Sequence, residues 1–329
     1  MLYYLDGDIF ESPAKVLVNA VNTVGIMGKG IAKDFKAIYP EMFAQYQIFC
    51  ETGRLTIGKL WLYKTPNKWV LNFPTKEDWR NPSRADYIEK GLRKFVDVYA
   101  AQGISSIAFP RIGCGHGELD WSKTVEPLIR KYLHDLPIDI FLYSRPSPVL
   151  PEHRNVDAMK LWLRSEPQSL SFTQVWEDLA ELSSSTPRLT TASGDDFQFK
   201  VSSEDLRILP AAPASSRWAA ILEALRRVIA TLGPRVLGSR EISVPREALL
   251  DFWQGFRVAG FVEARTMPDG LDAIASYLYP ILSSLPYIRP VSITTGSEAS
   301  PPHPALRLYP QAFQQRLVAV VDEEALKRA

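Results

Sequence analysis

Asn19 and Asn22 close an apolar run that begins at Val16, and a turn carrying Gly25, Gly28 and Gly30 follows at once. A buried strand there delivers two amide side chains to its carboxyl end. Glycine lets backbone amides approach a ligand closely, and the unpaired N–H groups opening the helix predicted from Ile31 carry partial positive charge. The chemistry this supports is capture of phosphates and ribose hydroxyls. Alone, the turn is equally an ordinary strand-to-helix connection. Lys29 is followed by Gly30, where a magnesium-holding P-loop requires Ser or Thr. A second segment shifts the balance. Gly113, Gly115 and Gly117 follow the apolar residues 107–109 and precede a helix predicted from Trp121. Glycines at that spacing let successive amides turn inward as an anion-binding concavity. Two such loops on separate strands can hold opposite parts of one diphosphate. A third segment, Asn72-Phe73-Pro74-Thr75-Lys76, sets a lysine just past the end of another apolar run.

These groups need strands that end together. Short apolar runs at 2–5, 16–21, 58–63, 69–73, 106–109 and 138–143 predict strands, and helical periodicity at 31–38, 41–49, 84–101 and 121–133 lies between them. Tyr87, Leu92, Phe95, Val96 and Tyr99 share one face of the third helix. Pro40 breaks the first helical pattern and Gly103 stops the third. Alternating strands and helices predict a largely parallel sheet covered on both faces, with ligands at the strands' carboxyl ends.

The chain has 329 residues, which favours about two domains, and its net charge of +1 names no partner. Residues 1–155 carry 20 Lys+Arg against 17 Asp+Glu, and the remainder is slightly acidic. Two cysteines, Cys50 and Cys114, exclude a disulfide framework and a cysteine-rich zinc site. The amino terminus lacks the pattern of a signal peptide, and no apolar stretch reaches the roughly 18 residues of a membrane span. The expectation is a soluble cytoplasmic protein without membrane contact.

Asp6-Gly7-Asp8-Ile9, the Asn19–Asn22 pair, residues 72–76 and residues 113–117, in that order, resemble the macrodomain, an ADP-ribose-binding module, over roughly residues 1–150. Trp79-Arg80 after Lys76 makes the sequence most similar to the branch containing DarG, the bacterial antitoxin that reverses DNA ADP-ribosylation, and the human terminal ADP-ribose protein glycohydrolase. The resemblance implies a three-layer α/β/α sandwich with a mixed, largely parallel sheet, then a second, smaller α+β domain. It gives Asp8 and the amide of Ile9 to adenine, and Asn19 and Asn22 to the distal ribose. The amides of Gly28, Lys29, Gly30 and Ile31, and of Gly113, Cys114, Gly115, His116 and Gly117, go to ribose and diphosphate. Thr75 is also given to ADP-ribose, beside Lys76, the residue implied to act at the anomeric carbon. Lys76 is either a nucleophile that water later releases or an electrostatic stabiliser of the departing base. No metal or other cofactor is implied.

One departure stands out. The human enzyme's branch places a catalytic Asp where this chain has Gly117. Glu118, Asp120 and His116 are the nearby candidates for a general acid, although Asp120 is equally placed to cap the next helix. Cys114 invites a lowered pKa among loop amides, or is there simply because it is small. Trp79 is a core residue or a stacking platform for a nucleobase.

The domain boundaries expected are 1–155 for the macrodomain, 156–171 for a linker and 172–329 for a second domain. Residues 145–151, 183–187 and 210–216 read as connectors; 156–164, 217–232, 245–258 and 271–282 read as helices. For the whole chain the resemblance implies removal of ADP-ribose from thymine in single-stranded DNA. It also implies a DarT-like toxin as partner of residues 172–329, with ADP-ribose as product. Protein ADP-ribosyl hydrolysis at Glu or Asp, and ADP-ribose binding without catalysis, are the alternatives.

Overall fold

Val16–Val21 is the strand around which the first half of the chain is arranged. Val16 and Val18 pack on one side, against Leu71, Ile88, Leu92, Phe95 and Ile129. Leu17 and Val21 pack on the other, against Phe35, Met42, Tyr46 and Cys50. Side chains alternate faces along a strand, so a run buried throughout demands helices on both sides. The computed structural model describes residues 1–143, 156–186, 188–211, 234–237, 241–268, 270–293 and 303–310. The chain divides into two units, Met1–Lys160 and Leu161–Ala329.

In the first unit the strands are β1 (Leu2–Leu5), β2 (Val16–Val21), β3 (Trp61–Lys64), β4 (Trp69–Pro74), β5 (Ser106–Phe109) and β6 (Asp139–Tyr143). Their order in the sheet is β1-β6-β5-β2-β4-β3. Only β3 runs antiparallel, as a hairpin with β4. Helices α1 (Gly30–Ile38) and α2 (Pro40–Glu51) cover one face; α3 (Ala85–Val98) and α4 (Glu126–Leu133) cover the other. This is the expected sandwich with its mixed, mostly parallel sheet.

Local differences from expectation have local causes. Strand β3 starts at Trp61 rather than at residue 58, because Gly58 holds φ +83° in the preceding turn. The helix expected from Trp121 opens with a π turn, Trp121–Val125, in which Glu126 N bonds to Trp121 O. Pro127 has no N–H to give Lys123 O, and the wider turn avoids that missing bond.

The second unit carries antiparallel sheets, as expected of an α+β domain. Helix α5 (Val156–Ser165) spans the division, and α6 (Phe172–Ser185) follows it. Strands β7 (Leu189–Thr190), β8 (Asp196–Val201), β9 (Asp205–Pro210), β10 (Arg235–Leu237) and β11 (Glu241–Pro245) form a sheet in the order β10-β11-β9-β8-β7. Helix α7 (Arg246–Ala259) and α8 (Ala275–Ser283) accompany a second sheet of β12 (Phe261–Glu263), β13 (Ile288–Ile293) and β14 (His303–Leu308), ordered β12-β14-β13.

The stretch expected as a linker, 156–171, holds α5 and a 3-10 turn at Pro167–Ser169. Trp253 Nε1 and Arg257 Nη1 both donate to Leu170 O at 3.2 Å. Arg164 and Tyr287 both bond to the buried Asp178 carboxylate, at 2.9 and 3.0 Å. Such bonds fasten the stretch, so it is no free spacer. The serines at 183–185, expected in a loop, finish α6 instead. Ser183 and Ser184 donate to Ala180 O, and Ser185 to Glu181 O, so their hydroxyls bond back to their own helix. The helix expected at 217–232 and the connector at 145–151 lie outside the described residues. Among the described residues no helix is long and apolar enough to cross a membrane.

Gly91 is the position in α3 where the helix meets the sheet. A Cβ there would stand 2.2 Å from Phe73 Cζ on β4. Alanine favours helices, yet Gly91→Ala has to displace a buried ring next to the strand end that leads to Lys76. Overpacking of this kind costs about 1–3 kcal/mol, more than the helix propensity returns. Urea denaturation of the variant should show a lower midpoint than the parent; an equal or higher midpoint would mean the ring yields freely.

Candidate functional site

The carboxyl ends of β2, β4 and β5 open into a cleft of about 1110 Å³. Its first wall is the turn from Asn22 to Gly30, and Asn22 shapes that turn from within. Asn22 Oδ1 accepts the N–H groups of Val24 and Ile26, each at 3.2 Å, and Nδ2 donates to Ile26 O at 2.6 Å. From α2, the Tyr46 hydroxyl reaches Asn22 O at 2.8 Å and Oδ1 at 3.0 Å, while Gln47 Nε2 donates to Gly25 O at 3.3 Å. Burial pushes the Tyr46 phenol well above its ordinary range, so it remains a donor. Helix α1 then begins at Gly30, φ +57°, and Lys29 caps it without a side-chain hydrogen bond. Its first amides are therefore uncovered by any capping side chain, which suits an anion.

The second wall is the connection leaving β4. Thr75 N bonds to Val21 O at 2.9 Å and Thr23 N to Glu77 O at 3.0 Å, tying this exit to that of β2. Lys76 lies between the two ties. It is only 7% exposed, unusual for a lysine, and its Nζ donates to His116 O at 2.8 Å.

The third wall is the loop after β5. Leu119 N bonds to Gly113 O at 3.0 Å and Glu118 N to Gly115 O at 3.1 Å, curling the loop on itself. Ser83 N, from the same connection as Lys76, bonds to Gly117 O at 2.9 Å. Gly117 has no room for a side chain: a Cβ would meet Ser83 Oγ at 2.2 Å and Gly113 O at 2.4 Å. Gly115 is the opposite, with nothing within 4 Å. The His116 ring reaches across to the first wall, its Cδ2 standing 3.1 Å from where a Gly30 Cβ would be.

Thirteen of the fifteen residues singled out from sequence line this cleft: Asp8, Ile9, Asn22, Gly28, Lys29, Gly30, Ile31, Thr75, Lys76, Gly113, Cys114, Gly115 and His116. Asp8 is fixed by accepting Phe10 N at 3.0 Å, as cap of a 3-10 turn at Ile9–Glu11. Two residues lie elsewhere. Asn19 is wholly buried and donates to Asn72 Oδ1 at 3.0 Å, opposite it in the β2–β4 ladder, so it braces the sheet instead of facing a ribose. Gly117 closes the loop from behind.

The general-acid candidates also separate. Asp120 Oδ1 accepts Lys123 N at 2.7 Å and the Ser122 hydroxyl at 2.9 Å, the capping alternative, and these bonds hold its carboxyl below the usual range. Glu118 is exposed at φ +60°. Of the three, His116 alone lines the cleft. The Cys114 thiol is pushed up to about 12, because burial outweighs the neighbouring Arg111. The loop does not activate it. Trp79 is 1% exposed and belongs to the interior, so it offers no stacking face.

Arg111, expected as a cation near Lys76, lines the cleft with its guanidinium 5.6 Å from the Trp121 ring. Sequence reasoning left out several other members. Phe10, Ile38 and Tyr143 add apolar surface and Asp34 an acid. Tyr46 and Gln47 act from α2, where only their i, i+1 placement on a buried helix hinted at a role.

Residues 18–128 match the family model of the macro domain. A DNA ADP-ribosyl glycohydrolase of Mycobacterium tuberculosis is 36% identical over 196 residues, covering 56% of this chain and 55% of its own. A DNA ADP-ribosyl transferase–DNA ADP-ribosyl glycohydrolase fusion protein of Thermosipho africanus is 38% identical over 170 residues, covering 46% and 44%. The chain thus spans about half the length of these curated relatives. Among solved structures, the macrodomain of Thermus aquaticus DarG is 39% identical, covering 44% of this chain and 99% of its own, with a TM-score of 0.42. By its sequence relatives and its matched family model, the amino-terminal unit of this chain is a DarG-type macrodomain, homologous over that region to DNA ADP-ribosyl glycohydrolases.

Proposed function

We propose that this chain removes ADP-ribose from thymine bases of single-stranded DNA, and that its carboxyl-terminal unit binds and restrains the DNA-modifying transferase. The observation that carries the first part is Lys76. It is a buried lysine held in the wall of a cleft whose other walls are glycine-rich loops. Relatives over the same residues bear the name DNA ADP-ribosyl glycohydrolase. For the second part, support comes from the Thermosipho relative, whose name joins transferase and glycohydrolase in one protein.

In this reading Asp8 accepts from the adenine amino group, and the turn organised by Asn22 meets the distal ribose. The amides of α1 and of residues 113–116 hold the diphosphate, with Lys29 and Arg111 as nearby cations. Hydrolysis breaks the bond between the anomeric carbon and the base nitrogen; water supplies a hydroxyl to the carbon and a proton to the base. Lys76 serves this in one of two ways. Its amine attacks the anomeric carbon and water then releases the adduct, or its ammonium stabilises charge on the departing base. Trapping with borohydride separates the two, since only the first leaves the protein attached to ADP-ribose.

Lys76→Ala should bring release of ADP-ribose from modified DNA below detection, while calorimetry shows ADP-ribose affinity within about threefold of the parent. Turnover by the variant would remove Lys76 from the mechanism. A parallel incubation with protein modified at Glu or Asp should give no release, and release there would favour the protein hydrolase.

The glycines of the loop predict contrasting defects. Gly115→Glu should leave the melting temperature unchanged and abolish ADP-ribose binding, because a carboxylate enters an open diphosphate site. Gly117→Ala should lower the melting temperature, because its Cβ meets the backbone. If both variants lose stability alike, the open face of Gly115 has been misplaced.

Asn22→Ala should weaken stability and binding together. It strips the acceptor from the Val24 and Ile26 amides and the donor from Ile26 O, while the Tyr46 hydroxyl keeps the backbone carbonyl of residue 22. Each buried group left unpaired costs about 1–3 kcal/mol. Lost binding with full stability would instead point to a direct ribose contact.

For the second unit, full-length Lys76→Ala should still protect cells partly against the transferase. Complete loss of protection would leave catalysis as the only antidote.

A further inference from the structure

On the β12-β14-β13 sheet of the carboxyl-terminal unit, Arg307 of β14 stands directly opposite Arg289 of β13 and, on its other side, opposite Phe261 of β12. Residues directly opposite share a face, and like charges in that relation destabilise a sheet. Both arginines are exposed, and neither has an acidic partner among the described residues. The next residue of β12 on this face, Glu263, is taken by Arg265 at 2.6 Å. Two aromatic rings bracket the arginines. Phe261 is 48% exposed; Tyr309, 46% exposed, lies 4.2 Å from the Arg289 guanidinium. On the opposite face Val262, Ile288, Leu306 and Leu308 are buried, and on the arginines' own face Ala305 is buried beside Glu263, so the exposed part of this face is the row Phe261–Arg307–Arg289 itself.

We propose that this outer row binds single-stranded nucleic acid. Two uncompensated cations on a rigid ladder call for a polyanion, and exposed rings beside them call for flat partners. A single strand supplies both, since its phosphates neutralise arginine and its unpaired bases stack on aromatic faces whatever their sequence. A duplex keeps its bases stacked within itself. An acidic protein segment satisfies Arg289 and Arg307 but brings nothing flat to Phe261 and Tyr309. The inference stands on this face alone and does not depend on the chemistry of the macrodomain cleft.

The test uses the full-length protein and a fluorescein-labelled thymidine strand of about 20 nucleotides, long enough for one binding face. The strand carries no ADP-ribose. Fluorescence anisotropy should show binding that weakens with salt and is stronger than to a duplex of equal length. Arg289→Ser with Arg307→Ser should weaken it about tenfold and flatten the plot of log K against log salt by about 1.4, two contacts at 0.7 each. Arg289→Lys with Arg307→Lys should restore the slope, and Phe261→Ser should weaken binding with the slope unchanged. Circular dichroism verifies each fold, and saturating ADP-ribose should change nothing. The proposal falls if the parent does not bind, or if the double serine variant keeps affinity and slope. Displacement of the strand by ADP-ribose would place it in the cleft and also refute the proposal. Arginine-dependent binding of polyglutamate without binding of the strand would make the face a dock for an acidic protein.

Discussion

Two neighbouring carbonyls of one loop, His116 O and Gly117 O, are both held by the connection between β4 and α3, the first by Lys76 Nζ and the second by Ser83 N. The second is a backbone bond that does not depend on the lysine side chain, and it fixes where the loop after β5 lies relative to the end of β4. The absence of space at Gly117 belongs to the same constraint, since the loop must pass close under Ser83 to offer its carbonyl. A lysine that is also a hydrogen-bond donor to the loop after β5 does not move independently of it. Ligand capture and the group proposed to do chemistry therefore share one mechanical frame.

The two asparagines of β2 show how one motif divides its labour. Both sit on the same strand three residues apart, yet Asn19 is spent on its ladder neighbour Asn72 and Asn22 on the turn above it. Asn22 uses both ends of its amide on that turn, whereas Asn19 donates to Asn72 and its own Oδ1 is left without a partner among the described residues.

Much of this was legible beforehand because it depends on local pattern. Apolar runs marked the strands of the first unit within a few residues, and glycine spacing marked two of the loops that line the cleft. Lys76 was legible only through its place in a motif; its carbonyl partner, forty residues away, was not. The role of Tyr46 was hidden for the same reason, since a tyrosine on a helix face reads as core until its hydroxyl is seen against Asn22. Trp79 and Asp120 had two readings each, and only burial in one case and a capping bond in the other decided between them. The second unit gave less away. Its serines at 183–185 look like a loop by composition and are helix by hydrogen bonding, and the row Phe261–Arg307–Arg289 exists only through pairing across strands.

Strand β1 lies at the edge of its sheet and pairs only with β6, the last strand of the unit, and the amino group of Met1 bonds to Ile138 O. Residues 2–5 thus have no strand to pair with in this sheet until residues 138–143 are in place. Pairings so distant in sequence form late, after the entropy of closing the long intervening chain has been met. Asp8, three residues past β1, is carried by that strand. The wall of the cleft at Asp8 is accordingly assembled last, and a chain truncated before β6 holds Lys76 and the turn at Asn22 but not a finished cleft.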